Sequence, residues 1–251
     1  MSPSTEVREN RRFASEIKFL VDPSCAEEIR AWVRARVGPD PNARGDMGDT
    51  YQVTSLYFDT DAYDVFHRRG SYGRCKYRVR RYDLGEVLFL ERKLKKSRLV
   101  TKRRSIIPVS ELLRLEGTEA DRGWEGFWFH RRLLARRLRP VCQISYHRTA
   151  RASMTGQGPI RMTLDEDVRA LPLGGLAFDH FITGLPVLPE RAVLELKFIR
   201  DVPAVFKNLI EEFSLAPQRV SKYRLTGLAL GFDGGSGIEP LEEEVAETVY
   251  A

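Results

Sequence analysis

The chain has 251 residues, 42% of them hydrophobic and 30% charged, with a formal net charge of +6, which is enough apolar material for one large domain and a charge balance that favours an anionic partner without dictating a fold. No run approaches the ~20 apolar residues of a membrane helix, and the start Met-Ser-Pro-Ser-Thr-Glu has no apolar signal core. The scattered Cys25, Cys75 and Cys142 have neither disulfide-framework nor zinc spacing, so a soluble, cytoplasmic protein in a reducing compartment is expected.

Residues 1–12 are polar and expected to be loose, and a first strand is predicted over 13–21. Asp22 caps a helix with Pro23 at its first position and Ile29, Trp32 and Val33 on its apolar stripe, ending near Gly38-Pro39. A loop over 40–49 leads to a strand at 52–58, a short helical turn at 62–66, and a hairpin of strands 74–83 and 86–95 across Asp83-Leu84-Gly85. A fifth strand at 100–107 precedes a short helix to residue 116. The longest helix is predicted over 123–139, with Leu133, Leu134 and Leu138 inward. Its arginines Arg131, Arg132, Arg136, Arg137 and Arg139 form either a solvated face or a dock for a polyanion or membrane. Strands at 141–149, 160–166 and 191–199 follow, then a helix from Pro203 to Phe213. The stretch 233–251 carries Gly-Gly-Ser-Gly and Glu242-Glu-Glu244, the composition of a disordered acidic tail.

The strand at 74–83 places Lys76, Arg78 and Arg80 two apart on one face, with Tyr77 and Val79 on the other. Like charges along one face repel unless something negative lies between them, so this face is expected to look into an enclosed space that receives an anion. The pattern recurs: Glu16 and Lys18, Glu91 and Lys93, Lys102 and Arg104, Tyr146 and Arg148, and Glu195 and Lys197 each sit two apart on strand-like runs. One such pair is an ordinary surface salt bridge. Several together predict an α+β fold built on an antiparallel β tunnel barrel of about eight strands with polar side chains inward, flanked by helices.

In chain order, Glu16-Ile-Lys18, Tyr57-Phe-Asp59-Thr60, Lys76-Tyr-Arg-Val-Arg80, Leu90-Glu-Arg-Lys93, Tyr146-His-Arg148, Leu194-Glu-Leu-Lys197 and Ser221-Lys-Tyr223 resemble the catalytic domain of the vacuolar transporter chaperone family. That family is the polyphosphate-polymerase branch of the triphosphate tunnel metalloenzymes, and the resemblance spans about residues 12–232. It implies that Lys18, Arg78, Arg80, Lys93, Arg148 and Lys222 act on ATP, triphosphate or polyphosphate in the lumen. It also implies that Lys197, Tyr146, Ser221 and Arg219 bind phosphate, with Lys102 matching by looser spacing; Lys76 and Arg104, on the same faces, join this set. Glu195 matches the metal-binding glutamate for Mn²⁺ or Mg²⁺, with Glu16 and Glu91 as possible outer ligands. Arg219 stands where the eukaryotic polymerase has lysine, and these two cations present phosphate with different geometry. The regulatory inositol-phosphate-sensing domain and membrane spans of the eukaryotic proteins are not among these residues.

The resemblance leaves three functions open: a polymerase moving the γ-phosphate of ATP to inorganic polyphosphate, a tripolyphosphatase or nucleoside triphosphatase, and a non-catalytic polyphosphate-binding module. Specific nucleic-acid binding is not expected, because few aromatics interleave with the cations. His67, His130, His147 and His180 lack metal spacing. Asp165 and Asp167 are further candidates near the metal, with Asp165 better suited to pairing with a lumen arginine.

Overall fold

The computed structural model describes residues 15–41, 43, 48–96, 99–179 and 184–234. The segments read as a loose N-terminus and an acidic tail lie outside these residues, apart from Asp233 and Gly234, as does His180.

Among the described residues, nine antiparallel strands form one sheet: β1 (Ser15–Val21), β2 (Thr50–Asp59), β3 (Cys75–Tyr82), β4 (Val87–Lys96), β5 (Leu99–Pro108), β6 (Arg139–Thr155), β7 (Gly158–Pro172), β8 (Leu185–Pro186) and β9 (Ala192–Phe198). The order is β1-β9-β7-β6-β2-β3-β4-β5, with β8 added beside β7. Among the described residues no backbone ladder joins β1 to β5, so the expected barrel is not closed by hydrogen bonds. The sheet curls far enough for side chains to bridge it, since Glu16 of β1 lies 3.7 Å from Lys93 of β4.

Strand alternation separates two environments. Outward-facing Phe19, Met162, Leu164, Leu194, Leu196 and Phe198 pack under α1 (Pro23–Arg36) and α3 (Ala204–Glu212), against Ile29, Val33, Phe206 and Leu209. On the other half, Leu56, Phe58, Tyr77, Val79, Leu88 and Leu90 cluster with Trp128 and Phe129 of α2 (Phe127–Ala135). The apolar faces are therefore covered by helices and the charged faces are turned to the inside of the curl. Asp22 caps α1 as expected, accepting from the Cys25 amide at 2.8 Å.

Several predicted elements differ, among them the strand expected at 160–166, which runs from Gly158 to Pro172. The helix expected at 123–139 is confined to Phe127–Ala135: Arg137 takes a left-handed φ of 50°, and Arg139 already opens β6, whose run to Thr155 far exceeds the predicted 141–149. Leu134 is exposed, unlike Leu133 and Leu138. The 62–66 segment is not a helix but a series of turns wound around Asp59, which accepts from the amides of Thr60 (2.7 Å), Val65 (2.8 Å) and Phe66 (2.9 Å). The sequence reading missed α4 (Lys222–Ala229). Its placement follows from Tyr223, which donates to the same Asp59 carboxylate at 2.5 Å and stacks on Tyr57 at 5.1 Å. Gly227 completes the fit, because a Cβ there would lie 2.4 Å from the Phe66 ring.

Candidate active site: a cationic lumen

The register puts Lys76, Arg78 and Arg80 of β3 opposite Lys93, Glu91 and Phe89 of β4, which in turn face Lys102, Arg104 and Ile106 of β5. Arg78 and Arg80 also pair with Tyr57 and Ser55 of β2. On the other wall, Lys18 and Glu16 of β1 face Glu195 and Lys197 of β9, which face Thr163 and Arg161 of β7. Arg148 of β6 closes the circuit between Asp165 and Tyr51. The inside-out alternation thus runs around the whole curl.

Among the described residues, Glu91, Asp165, Glu16 and Glu195 hold most of these cations apart, and Asp40 takes Arg161. Buried Glu91 is engaged by Arg78 (2.6 Å), Lys102 (2.8 Å) and Arg104 (2.5 Å). Burial would push its carboxyl up, but Arg78, Lys102, Arg80 and Arg104 hold it well below the usual range. Asp165, fully buried, receives Arg148 in a fork at 2.6 and 2.7 Å and Lys222 of α4 at 2.6 Å. Its pairing is with a lumen arginine, as its position suggested. Asp167, by contrast, sits with φ of 48° where β7 carries an irregularity, and accepts from Arg169 at 2.8 Å.

Glu16 and Glu195 form the second acidic locus. Lys18 lies 3.0 Å from Glu16 and 3.4 Å from Glu195, and Lys197 contacts both. Burial works against ionisation of Glu195, yet Lys197, Lys18 and Arg148 keep its carboxyl well below the usual range; Glu16, raised by burial and by Glu195, is still lowered overall by Lys18, Lys197 and Lys93. Both are carboxylates at neutral pH. Beside Glu195 across the β7–β9 ladder is Thr163, buried, with a hydroxyl oxygen that has no hydrogen-bond partner.

This donor set suits a hard divalent cation. All its atoms are oxygens, and Mg²⁺ is characteristically held by one or two carboxylates with phosphate oxygens and water supplying the rest. No group of three or more His, Cys, Asp or Glu residues placed to hold a metal occurs among the described residues; Glu16 and Glu195 are the adjacent carboxylates that could hold one. Glu91 is fully engaged by its three cations and is the weaker candidate.

The phosphate-type contacts converge on tyrosine and on α4. Tyr146 accepts through its hydroxyl from Arg80 at 3.1 Å and Arg148 at 3.3 Å. Among the described residues Lys76 makes no salt bridge to a carboxylate, and it donates to the N-capping Ser221 of α4 at 2.7 Å. Burial, reinforced by Lys18, Lys93, Arg68 and Arg78, pulls the Lys76 ammonium down to about 7. Arg219 lies exposed on the segment before α4, where the Gln218 amide donates to the Lys18 carbonyl at 2.8 Å. The arginines of the predicted 123–139 helix make other contacts: Arg131 covers the Phe127 ring, Arg136 covers Tyr72, and Arg139 pairs with Asp61. His130 lies in the core against the Gly117 carbonyl.

Sequence reasoning missed Tyr57, Tyr82, Arg161 and Thr163 on this face. Arg161, Thr163 and Asp165 stand two apart, so the alternation that revealed β3 was present there too. What hid it was Arg161's partner Asp40, 2.5 Å away and supplied by a segment read only as a loop.

Comparison with known proteins agrees with this architecture. A "putative adenylate cyclase" from Bacillus halodurans superposes with a TM-score of 0.52 at 15% identity, over 82% of this chain and 92% of that one. HpAC1 from Hippeastrum, described as having a dominant triphosphatase activity, gives 0.46 at 15% identity, over 91% and 98%. No curated protein matches the chain significantly in sequence. The sequence model of the VTC domain matches residues 13–230, which takes in every strand, helix and lumen side chain described above. A curled antiparallel sheet with a cationic interior and this family match agree: the chain belongs to the VTC-domain family of the triphosphate tunnel fold.

Proposed function

We propose that the protein is a metal-dependent polyphosphate polymerase that transfers the γ-phosphate of ATP to a growing polyphosphate chain inside the lumen. The observation that carries this reading is the excess of inward Lys and Arg over Glu16, Asp40, Glu91, Asp165 and Glu195 among the described residues, with Glu16 and Glu195 together on one wall. Arg78, Arg80, Arg104 and Arg148 line the lumen with guanidinium groups, and charge-assisted contacts from such groups to phosphate oxygens are strong where water is scarce. Lys18, Lys76, Lys93, Lys197 and Lys222 add compact charges around the terminal phosphate.

In the reaction a terminal oxygen of the acceptor chain attacks the γ-phosphorus as the bond from that phosphorus to the β–γ bridging oxygen breaks, releasing ADP. The acceptor is already ionised, so no protein base is required. The lumen's contribution is alignment and stabilisation of charge on the transferring group. Glu16 and Glu195 would hold a divalent ion, which would supply positive charge against that on the transferring group. The Lys76 ammonium is pulled down to about 7 by burial and by Lys18, Lys93, Arg68 and Arg78, and a bound polyanion would favour its charged form.

Incubation of the purified protein with ATP and Mn²⁺, with products resolved by gel and by phosphate release, tests the proposal. Polymer accumulating in step with ADP is expected. Stoichiometric free phosphate without polymer would identify a triphosphatase instead, and neither product with any divalent ion would leave a binding module.

A further inference from the structure

The lumen changes character along its length. At one end Lys76, Lys93 and Lys102 lie side by side across β3, β4 and β5. Two rungs away along these strands, about 13 Å at ~3.3 Å per residue, the same faces carry Phe89 and Ile106, with Tyr82 one further rung along β3. Tyr82 meets Phe89 edge-to-face at 5.2 Å and Tyr51 at 5.6 Å. Tyr82, Phe89 and Ile106 are each only partly buried. The adjoining hairpin is open to solvent, with Leu84 66% and Val87 42% exposed. This end is an apolar, aromatic mouth.

Arginine ties that mouth to the phosphate-binding rungs. The Arg104 guanidinium lies 4.7 Å over the Phe89 ring while its other contacts reach Glu91 and, at 3.5 Å, the Tyr82 hydroxyl. Arg80 lies 5.8 Å from the Tyr82 ring and bonds Tyr146 deeper in. An inorganic polyphosphate has nothing to offer aromatic rings. A ligand with a flat, polarisable group at one end and a chain of phosphates at the other matches both parts, because every base has a π-face that stacks on aromatic and guanidinium planes.

Resting on the proposed function, we infer that Tyr82, Phe89 and Ile106 form the subsite for the base of a nucleoside triphosphate, so that the donor lies with its base at this mouth and its terminal phosphate toward Lys76 and Ser221. This orientation brings the γ-phosphate to the wall that carries Glu16 and Glu195, since Glu16 spans to Lys93. It also leaves the lysine end for the acceptor chain, which has no base.

The test is calorimetric binding of ATP and of inorganic tripolyphosphate, in chelator and without added metal, to the wild type and to Phe89→Leu and Tyr82→Leu. Each variant is expected to weaken ATP binding about ten-fold and to leave tripolyphosphate binding within a factor of two. The inorganic ligand reports in the same experiment that the lumen is intact. Equal weakening of both ligands would show that the rings serve only to hold Arg104 and Arg80, and unchanged ATP binding would place the base elsewhere; either result overturns the subsite while leaving the tunnel reading standing. A wild type that binds neither ligand would overturn both.

Discussion

Replacing Asp165 by Asn is expected to cost about 3 to 5 kcal/mol of folding stability, the range for removing one partner of a buried ion pair. The carboxylate is fully buried between the Arg148 fork and Lys222. The amide would face two cations with no counter-charge, in a lumen that already repels itself. Burial pushes the Asp165 carboxyl up, but Arg148 and Lys222 outweigh it and hold the group well below 3.8. A depressed carboxyl contributes stability that is fully present above its unfolded pKa, about 3.9, and is lost as pH falls through its folded value. Urea unfolding should therefore show the full deficit at pH 7 and a narrowing gap to the wild type below about pH 4. A deficit under about 1 kcal/mol at pH 7, the scale of an exposed pair, would show that Asp165 does not hold the two cations.

The second large effect is expected on turnover. Glu195→Gln preserves shape and removes the charge proposed to hold the divalent ion, so catalysis should fall by roughly a hundredfold or more, in line with the several kcal/mol such an ion supplies. Metal-free tripolyphosphate binding should be retained or strengthened, because one negative charge has left a cationic wall where Glu195 now engages Lys18 and Lys197. The opposed signs distinguish a metal ligand from a residue that merely orders the lumen. Wild-type turnover in this variant would move the metal to Glu16 and away from Glu195.

How much of this was legible depended on whether the relevant signal was local. The alternation of Lys76, Arg78 and Arg80 with Tyr77 and Val79 is complete within one strand, and the inward face it implies is the one observed. The Glu-x-Lys pairs at Glu16 and Glu195 also report their own faces. What joins them is cross-strand register, so the sharing of Lys18 and Lys197 by two carboxylates could not be read from either segment alone. α4 was invisible for a related reason: its apolar pattern is weak, and Tyr223, Gly227 and Asp59 fix it through contacts far apart in sequence. The long helix predicted at 123–139 failed in the opposite way. Its leucine spacing is helical, but the left-handed turn at Arg137 and Pro140 redirect the chain into β6. Strand alternation equally announces a lumen without saying whether the wall closes. Here the wall between β1 and β4 is bridged by charged side chains, as in the Glu16–Lys93 contact.

The central claim is that this lumen is built to hold a polyanion, and a thermal melt with and without inorganic tripolyphosphate tests it most directly. Burial and the neighbouring Lys18, Lys93, Arg68 and Arg78 pull the Lys76 ammonium down to about 7, and Lys93 is lowered as well, the direction expected where cations crowd one another. Ligand at about a hundred times its dissociation constant adds ~2.7 kcal/mol. For a chain of this size that corresponds to a rise in Tm of roughly 5 to 10 °C, and the rise should shrink when Arg78 and Arg80 are both changed to alanine. An unchanged Tm at millimolar tripolyphosphate, with or without Mn²⁺, would contradict the account, because cations so closely confined should be stabilised by the anion they are arranged to receive.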